Sequence, residues 1–479
     1  MIHAYQLNGY NIVLDVNSGA VHVVDDILYH MLQKMPNTPD AQVPQQYPEQ
    51  LFAALESTYS KAEMQSAYQD IYDLWEKGQL FSSDDYEQFA NMMVSAPIKA
   101  MCLNVAHDCN LRCKYCFAST GEYGSGRKLM DIETGKRAID FLLKYSGTRK
   151  NLEMDFFGGE PLMNFDLVKE VVKYARSKEK EYNKNFRFTI TTNGVLLTED
   201  KMDFINKEMS NVVLSLDGRK EVNDRLRVRV DGSGSYDQIV PNFQKFVKMR
   251  GDGQYYVRGT FTKYNKDFAD DVLHFYRKGF EQISIEPVVT DPKLPYALTE
   301  EDLPEVFAEY EKLSNQIIET RRNGEFFNFF HFMIDLDQGP CAIKRLRGCG
   351  CGNEYVCVTP EGDVYPCHQF VGKPEWVMGS VHNLSVNEVM KESFAKSTVY
   401  AKEECKNCWA KFYCSGGCNA NNLEYAGDIR KPYKLACDLE KKRLECAIMI
   451  KAALAEETTQ EEQPSCQDCD TCNACGTCE

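Results

Sequence analysis

Short apolar strands alternate with amphipathic helical stretches from residue 98 to 305, and a chain with that rhythm folds as βα units around a parallel sheet. The expected strands are 100–105, 151–156, 187–191, 211–216, 256–261 and 282–286, with helical patterns such as 132–145, 167–182 and 268–278 between most of them. Parallel sheets and barrels carry their chemistry on the loops that follow strand C-termini. The first of these loops holds Cys109, Cys113 and Cys116 in a C-x3-C-x2-C pattern. Three thiolates on one tight loop can hold three corners of a [4Fe-4S] cluster and leave the fourth iron to a small molecule, whereas electron-transfer clusters use four cysteines. A zinc half-site is the competing reading.

Cysteine usage across the chain points the same way. There are 20 cysteines, none before Cys102 and none between Cys116 and Cys341. The first residues lack a basic stretch followed by an apolar core, so no secretory signal is visible and the expected compartment is the cytoplasm. In a reducing compartment, clustered cysteines imply metal or iron-sulfur ligation rather than disulfides. A net charge of -16 disfavours nucleic acid as a partner. No apolar run reaches membrane-spanning length, so no membrane role is expected.

The flanks read as separate units. Residues 1–92 combine a hairpin pattern over 10–24, a Pro-rich loop, and helical patterns over 51–59 and 62–80. Through residue 95 there are 13 Asp/Glu against 3 Lys/Arg, so this winged-helix-like unit is not a DNA reader. Capture of a peptide by strand addition suits it better, and a stabilising cap is the alternative. Residues 306–338 read as a helical connection, 339–450 as a cysteine-rich domain, and 451–479 as an acidic, disordered tail with five evenly spaced cysteines.

After the second strand comes Phe157-Gly-Gly-Glu-Pro161, where two glycines permit close backbone approach and Pro161 stiffens the exit. With the cysteine triplet one βα unit earlier, the chain resembles the radical S-adenosylmethionine (SAM) enzymes. That resemblance implies an α/β fold, a partial (β/α)6 barrel, with Cys109, Cys113 and Cys116 as catalytic cluster ligands. The cofactor would coordinate the open iron and, on reduction, yield a 5'-deoxyadenosyl radical. Tyr115 or Phe117 would flank the adenine, and Gly158, Gly159 and Glu160 would meet the methionine amino group. Thr192, Asn193, Ser215, Asp217, Arg227 and Glu286 are further cofactor-binding candidates. Each also admits a structural reading as a loop cap or internal ion pair.

The cysteine-rich region contains Cys349-x12-Gly362-x4-Cys367 and then Cys405-x2-Cys408-x5-Cys414-x3-Cys418, with Cys437 beyond. This is similar to the SPASM extension, which binds auxiliary [4Fe-4S] clusters. By that resemblance Cys405, Cys408, Cys414 and Cys437 bind a distal cluster and Cys349, Cys367 and Cys418 a proximal one. Zinc is the alternative that soft sulfur ligands allow. Cys351 and Cys357 both lie near enough in sequence to supply a fourth proximal ligand; if neither does, a substrate thiolate can. Cys102, Cys341 and Cys446 read as core thiols.

The N-terminal unit and the wording Cys349-Gly-Cys-Gly-Asn-Glu-Tyr355 through Tyr365-Pro-Cys-His-Gln-Phe370 resemble the maturases of SCIFF (six-cysteine) peptides. The implied reaction is a thioether between a precursor cysteine sulfur and a carbon of an acceptor residue, with threonine the expected acceptor. The implied cofactors are SAM and three [4Fe-4S] clusters. The implied partners are a cysteine-rich precursor peptide bound through its leader and an electron donor such as flavodoxin or ferredoxin. Rival readings are a SPASM dehydrogenase that oxidises a peptide side chain, and a non-catalytic iron-sulfur or zinc scaffold.

Overall fold

An Asn-Gly pair starts the N-terminal unit. In a computed structural model, which describes residues 1–38, 41–92, 95–336 and 342–461, Asn8 and Gly9 both have positive φ (51° and 85°). This left-handed pair makes the tight turn between β1 (Ile2–Leu7) and β2 (Tyr10–Asp15). With β3 (Val21–Val24) they form a three-stranded antiparallel sheet, so the expected hairpin gains a strand at its N-terminal side. The helix Lys61–Glu76 begins with a capping box between Ser60 and Glu63 and packs on the sheet through Met64, Ala67, Tyr68 and Ile71. That cap limits the preceding helix. The pattern over 51–59 gives only Glu49–Phe52 and a 3-10 turn Ala53–Leu55, because Ser60 is committed to the next helix. Gly78, at φ 67°, turns the chain before residue 80.

All six expected strands form and lie side by side in chain order: β4 (Ala100–His107), β6 (Asn151–Gly158), β7 (Asn185–Thr192), β8 (Met209–Ser215), β9 (Gln254–Phe261) and β10 (Gln282–Pro287), every neighbouring pair parallel. A two-residue β5 (Lys128–Leu129) pairs with the end of β4. Alternation along each strand sends one face under the helices. In β7, Phe186, Phe188 and Ile190 are buried while Arg187, Thr189 and Thr191 face the other way. Consecutive right-handed βα units give the mixed α/β radical SAM fold.

The connection after the barrel is less helical than expected. Its helix begins at Leu303 and ends at Arg322, where Gly324 (φ 73°) reverses the chain. Asn328–Phe329 then adds to β10 as β11, and residues 337–341, Cys341 among them, lie outside the described residues. The cysteine-rich region extends the sheet at its opposite edge: β12 (Tyr355–Val358) pairs parallel with β4, and β13 (Asp363–Tyr365) pairs antiparallel with β12. A final helix, Lys434–Glu461, packs on Leu303–Arg322. It carries helix into the expected tail, as the run Ala447–Ile450 with Ala452 and Ala453 buries apolar residues through that stretch. The five tail cysteines from Cys466 onward lie outside the described residues. No helix among the described residues is long and apolar enough to cross a membrane.

Candidate radical and auxiliary cluster sites

The loop after β4 is held by backbone contact with the loop after β6. Gly159 N–H donates to Ala106 O (2.7 Å) and Glu160 N–H to Asp108 O (2.9 Å). A Cβ on Gly159 would stand 2.1 Å from Asp108 O, one on Gly158 2.3 Å from Ala106 O, and one on Gly121 2.7 Å from Cys109 Cβ. The two glycines of the Gly-Gly-Glu-Pro segment thus admit the cysteine loop itself, where sequence reasoning had them admitting a ligand. Gly121 was missed; its φ of 97° and its contact with Cys109 appear only in three dimensions.

Cys109, Cys113 and Cys116 are all half-buried on this loop. Burial pushes the thiols of Cys109 and Cys113 up to about 12. Asn193 Nδ2 donates to Asn110 Oδ1 (2.8 Å) and lies 3.6 Å from Cys109 Sγ, so the loop after β7 closes over the first cysteine. The Glu160 carboxylate is buried and accepts from Leu162 N (3.0 Å), Thr192 Oγ1 (2.8 Å) and Asn193 N (2.8 Å), tying the β6 and β7 loops together. Burial raises it to about 7. This tie holds Thr192 on Glu160 and Asn193 beside Cys109.

A second buried knot lies on the other side of Cys113. Asp217, fully buried, accepts from Tyr115 OH (2.8 and 2.6 Å) and Thr260 N (3.1 Å) and lies 2.8 Å from Arg227 Nε. The Tyr115 hydroxyl is thereby spent internally, whereas Phe117 stands 54% exposed at the barrel mouth. Asp217 makes an internal ion pair, the structural reading that the sequence allowed beside cofactor contact. Arg227 is close enough to Cys113 to hold its pKa down against burial, yet its buried Nε has no aligned hydrogen-bond acceptor. A buried cation beside cysteine thiols fits an anionic guest, either thiolate-bound cluster or ligand carboxylate. Ser215 ends β8 half-buried. Glu286 also follows the structural reading: it ion-pairs with Arg258, the charge that holds it well below the usual carboxylate range, with His331 3.9 Å away.

The auxiliary cysteines form two groups. Cys405, Cys408, Cys414 and Cys437 line one cavity of about 350 Å³. That space suits a cluster better than one zinc ion with sulfurs about 2.3 Å away. In the other group, burial raises the thiols of Cys349 and Cys418, and the nearby Cys367 adds to both shifts. Cys351, whose thiol donates to Pro366 O (3.5 Å), lies beside Cys367, and their interaction raises Cys351 and lowers Cys367. Cys357 instead pairs in register with Cys102 across β12 and β4.

The two regions meet at His368, which the sequence reading passed over although it follows Cys367. Its ring stands 5.4 Å from Phe117 and 5.1 Å from Phe157. Phe117 is one residue from Cys116, so the radical-site loop and the auxiliary loop converge on the barrel mouth.

Comparison with known proteins agrees with this geometry. Residues 103–278 match the radical SAM superfamily, and residues 349–409 match the SPASM iron-sulfur cluster-binding domain. The cysteine-type anaerobic sulfatase-maturating enzyme of Clostridium novyi (strain NT) is 27% identical over 336 residues, 66% of this chain and 86% of that one. The structure of native anSMEcpe with bound AdoMet and Cp18Cys peptide superposes with a TM-score of 0.62 at 21% identity, over 76% of this chain and all but 1% of the other (99%). Streptococcus suis SuiB bound to precursor peptide SuiA gives a TM-score of 0.51 at 14% identity, over 91% and 98% of the two chains.

Proposed function

We propose, for a chain that carries a radical SAM domain and a SPASM domain, that it joins a cysteine sulfur to a carbon of an acceptor residue, threonine first among the candidates, in a cysteine-rich precursor peptide. The observation that supports the reading is the contact of Phe117 with His368, which brings the residue after Cys116 beside the residue after Cys367. Bound there, SAM and its cluster supply a hydrogen-abstracting radical.

The residues of the chain then have separable roles. Cys109, Cys113 and Cys116 hold the first cluster, with Arg227 balancing its charge, and Phe117 offers the exposed ring for adenine. Cys405, Cys408, Cys414 and Cys437 hold a distal cluster, and Cys349, Cys367 and Cys418, with Cys351 in reach, hold a proximal one. Forming the C–S bond requires loss of one hydrogen from the acceptor carbon, of the thiol proton and of one electron, for which a cluster held by the auxiliary cysteines would be the acceptor. Positioning sulfur and carbon on facing walls removes most of the entropic cost of their encounter. Residues 1–92 receive the precursor's leader at the free edge of β3, and flavodoxin or ferredoxin supplies the reducing electron.

The relationship to a sulfatase-maturating enzyme keeps one rival in view, oxidation of a single side chain. Anaerobic, reconstituted protein with SAM and dithionite should release 5'-deoxyadenosine. Replacing the three triplet cysteines with Ala should abolish that release, and release retained by the triple variant refutes the site. With a synthetic cysteine-rich peptide, thioether formation removes two hydrogens, as does oxidation of a serine to its aldehyde, whereas a cysteine oxidised to a carbonyl also exchanges its sulfur for oxygen. Thioether formation consumes one alkylatable thiol and creates no carbonyl; a carbonyl product establishes the rival.

A further inference from the structure

The four-cysteine distal cavity is built into the seat of the N-terminal unit. Between Cys408 and Cys414 the chain runs Trp409-Ala-Lys-Phe-Tyr413, and four of these five residues meet residues 1–92. The His3 ring stacks on Trp409 at 3.8 Å and 3°. Lys411, whose side chain is 1% exposed, ion-pairs with Asp84 at 2.5 Å. Tyr86 lies 4.8 Å from Phe412, and Gly19 leaves room for the Tyr413 hydroxyl, 3.7 Å from where its Cβ would be. Cys405 itself is packed in one apolar cluster with Met1, Val16 and Ala90.

The segment that makes these contacts has little regular structure of its own. Its helices, Glu403–Lys406 and Lys411–Cys414, are single turns of 4 residues each, too short to hold themselves together. Ligands that tie such a loop to a metal centre contribute directly to its folding. Whatever fills the four-cysteine cavity therefore sets the position of Trp409 and Lys411, and hence of the sheet β1–β3 docked on them.

We propose that loading of the distal cysteine site and docking of the N-terminal unit are thermodynamically coupled through the 408–414 loop, so that only cluster-loaded protein presents its peptide-capture unit in place. Coupling of this kind is reciprocal: holding the N-terminal unit in place also holds the distal cluster. The inference deepens the proposed function and rests on its reading of the cavity as a cluster site.

Hydrogen–deuterium exchange on anaerobic full-length protein, with iron counted per chain, tests it without any substrate. In the double variant Cys408→Ala/Cys437→Ala, iron should fall by one cluster and amides of Ile2–Leu7 should exchange about tenfold faster than in wild type, while β7 in the barrel centre is unchanged. Iron loss with unchanged exchange in Ile2–Leu7 overturns the coupling. Full iron in the double variant, which keeps only two of the four cysteines, overturns the cavity assignment instead, so the two failures are told apart. The reverse arm is Trp409→Ala, which keeps all ligands: faster exchange in Ile2–Leu7 and faster iron release to a chelator are expected. Wild-type values for both overturn the proposal.

Discussion

Glu160 links two loops of the site: its buried carboxylate accepts three hydrogen bonds from the protein. Its pKa is raised to about 7 by burial, so the native state binds its proton more tightly than the unfolded chain does. The stability it contributes is complete below about pH 4.5 and is lost as pH rises through about 7, a swing of about 3 kcal/mol. Thermal denaturation of wild-type and Glu160→Gln apoprotein should therefore differ in pH dependence, with the wild type losing stability over that window and the variant lacking the slope. Equal slopes would mean that Glu160 titrates normally.

Among the elements, the strands were the most legible part of the chain. Runs such as Phe186, Phe188 and Ile190 alternate cleanly, and burial follows that alternation residue by residue. Helices were less so where their ends depend on caps: the pattern over 51–59 and the connection over 306–338 both stop early for local reasons at Ser60 and Gly324. The cysteine loop depends on a different kind of constraint, backbone packed on backbone. Gly159→Ala should push Asp108 O away from its present place and destabilise the apoprotein by about 3 kcal/mol. Reconstituted variant should hold less iron than wild type, the loss confined to the SAM-responsive cluster signal in electron paramagnetic resonance. Normal iron and signal would show that the β4 and β6 loops can separate without harm.

At the scale of the molecule, three units share contacts that no local pattern announces. The auxiliary region joins the barrel sheet through β12 beside β4, and the N-terminal unit leans on both the distal cavity and the last helix, where His3 meets Glu445 at 2.9 Å. Removing residues 1–92 should weaken binding of the precursor peptide by at least about tenfold, or 1.4 kcal/mol, measured by fluorescence anisotropy of a labelled leader; an unchanged dissociation constant would make that unit a cap. Residue order alone was enough for the parallel sheet, the cysteine triplet and the two auxiliary spacings, because strand alternation and ligand spacing are periodic over a few residues. It left open Cys351 against Cys357 and, for Asp217 and Glu286, cofactor contact against an internal ion pair, and it was silent on Gly121 and His368. Those outcomes depend on which atoms meet across strands and loops distant in the chain, and register, burial and charge neutralisation settle such meetings only once the sheet has closed.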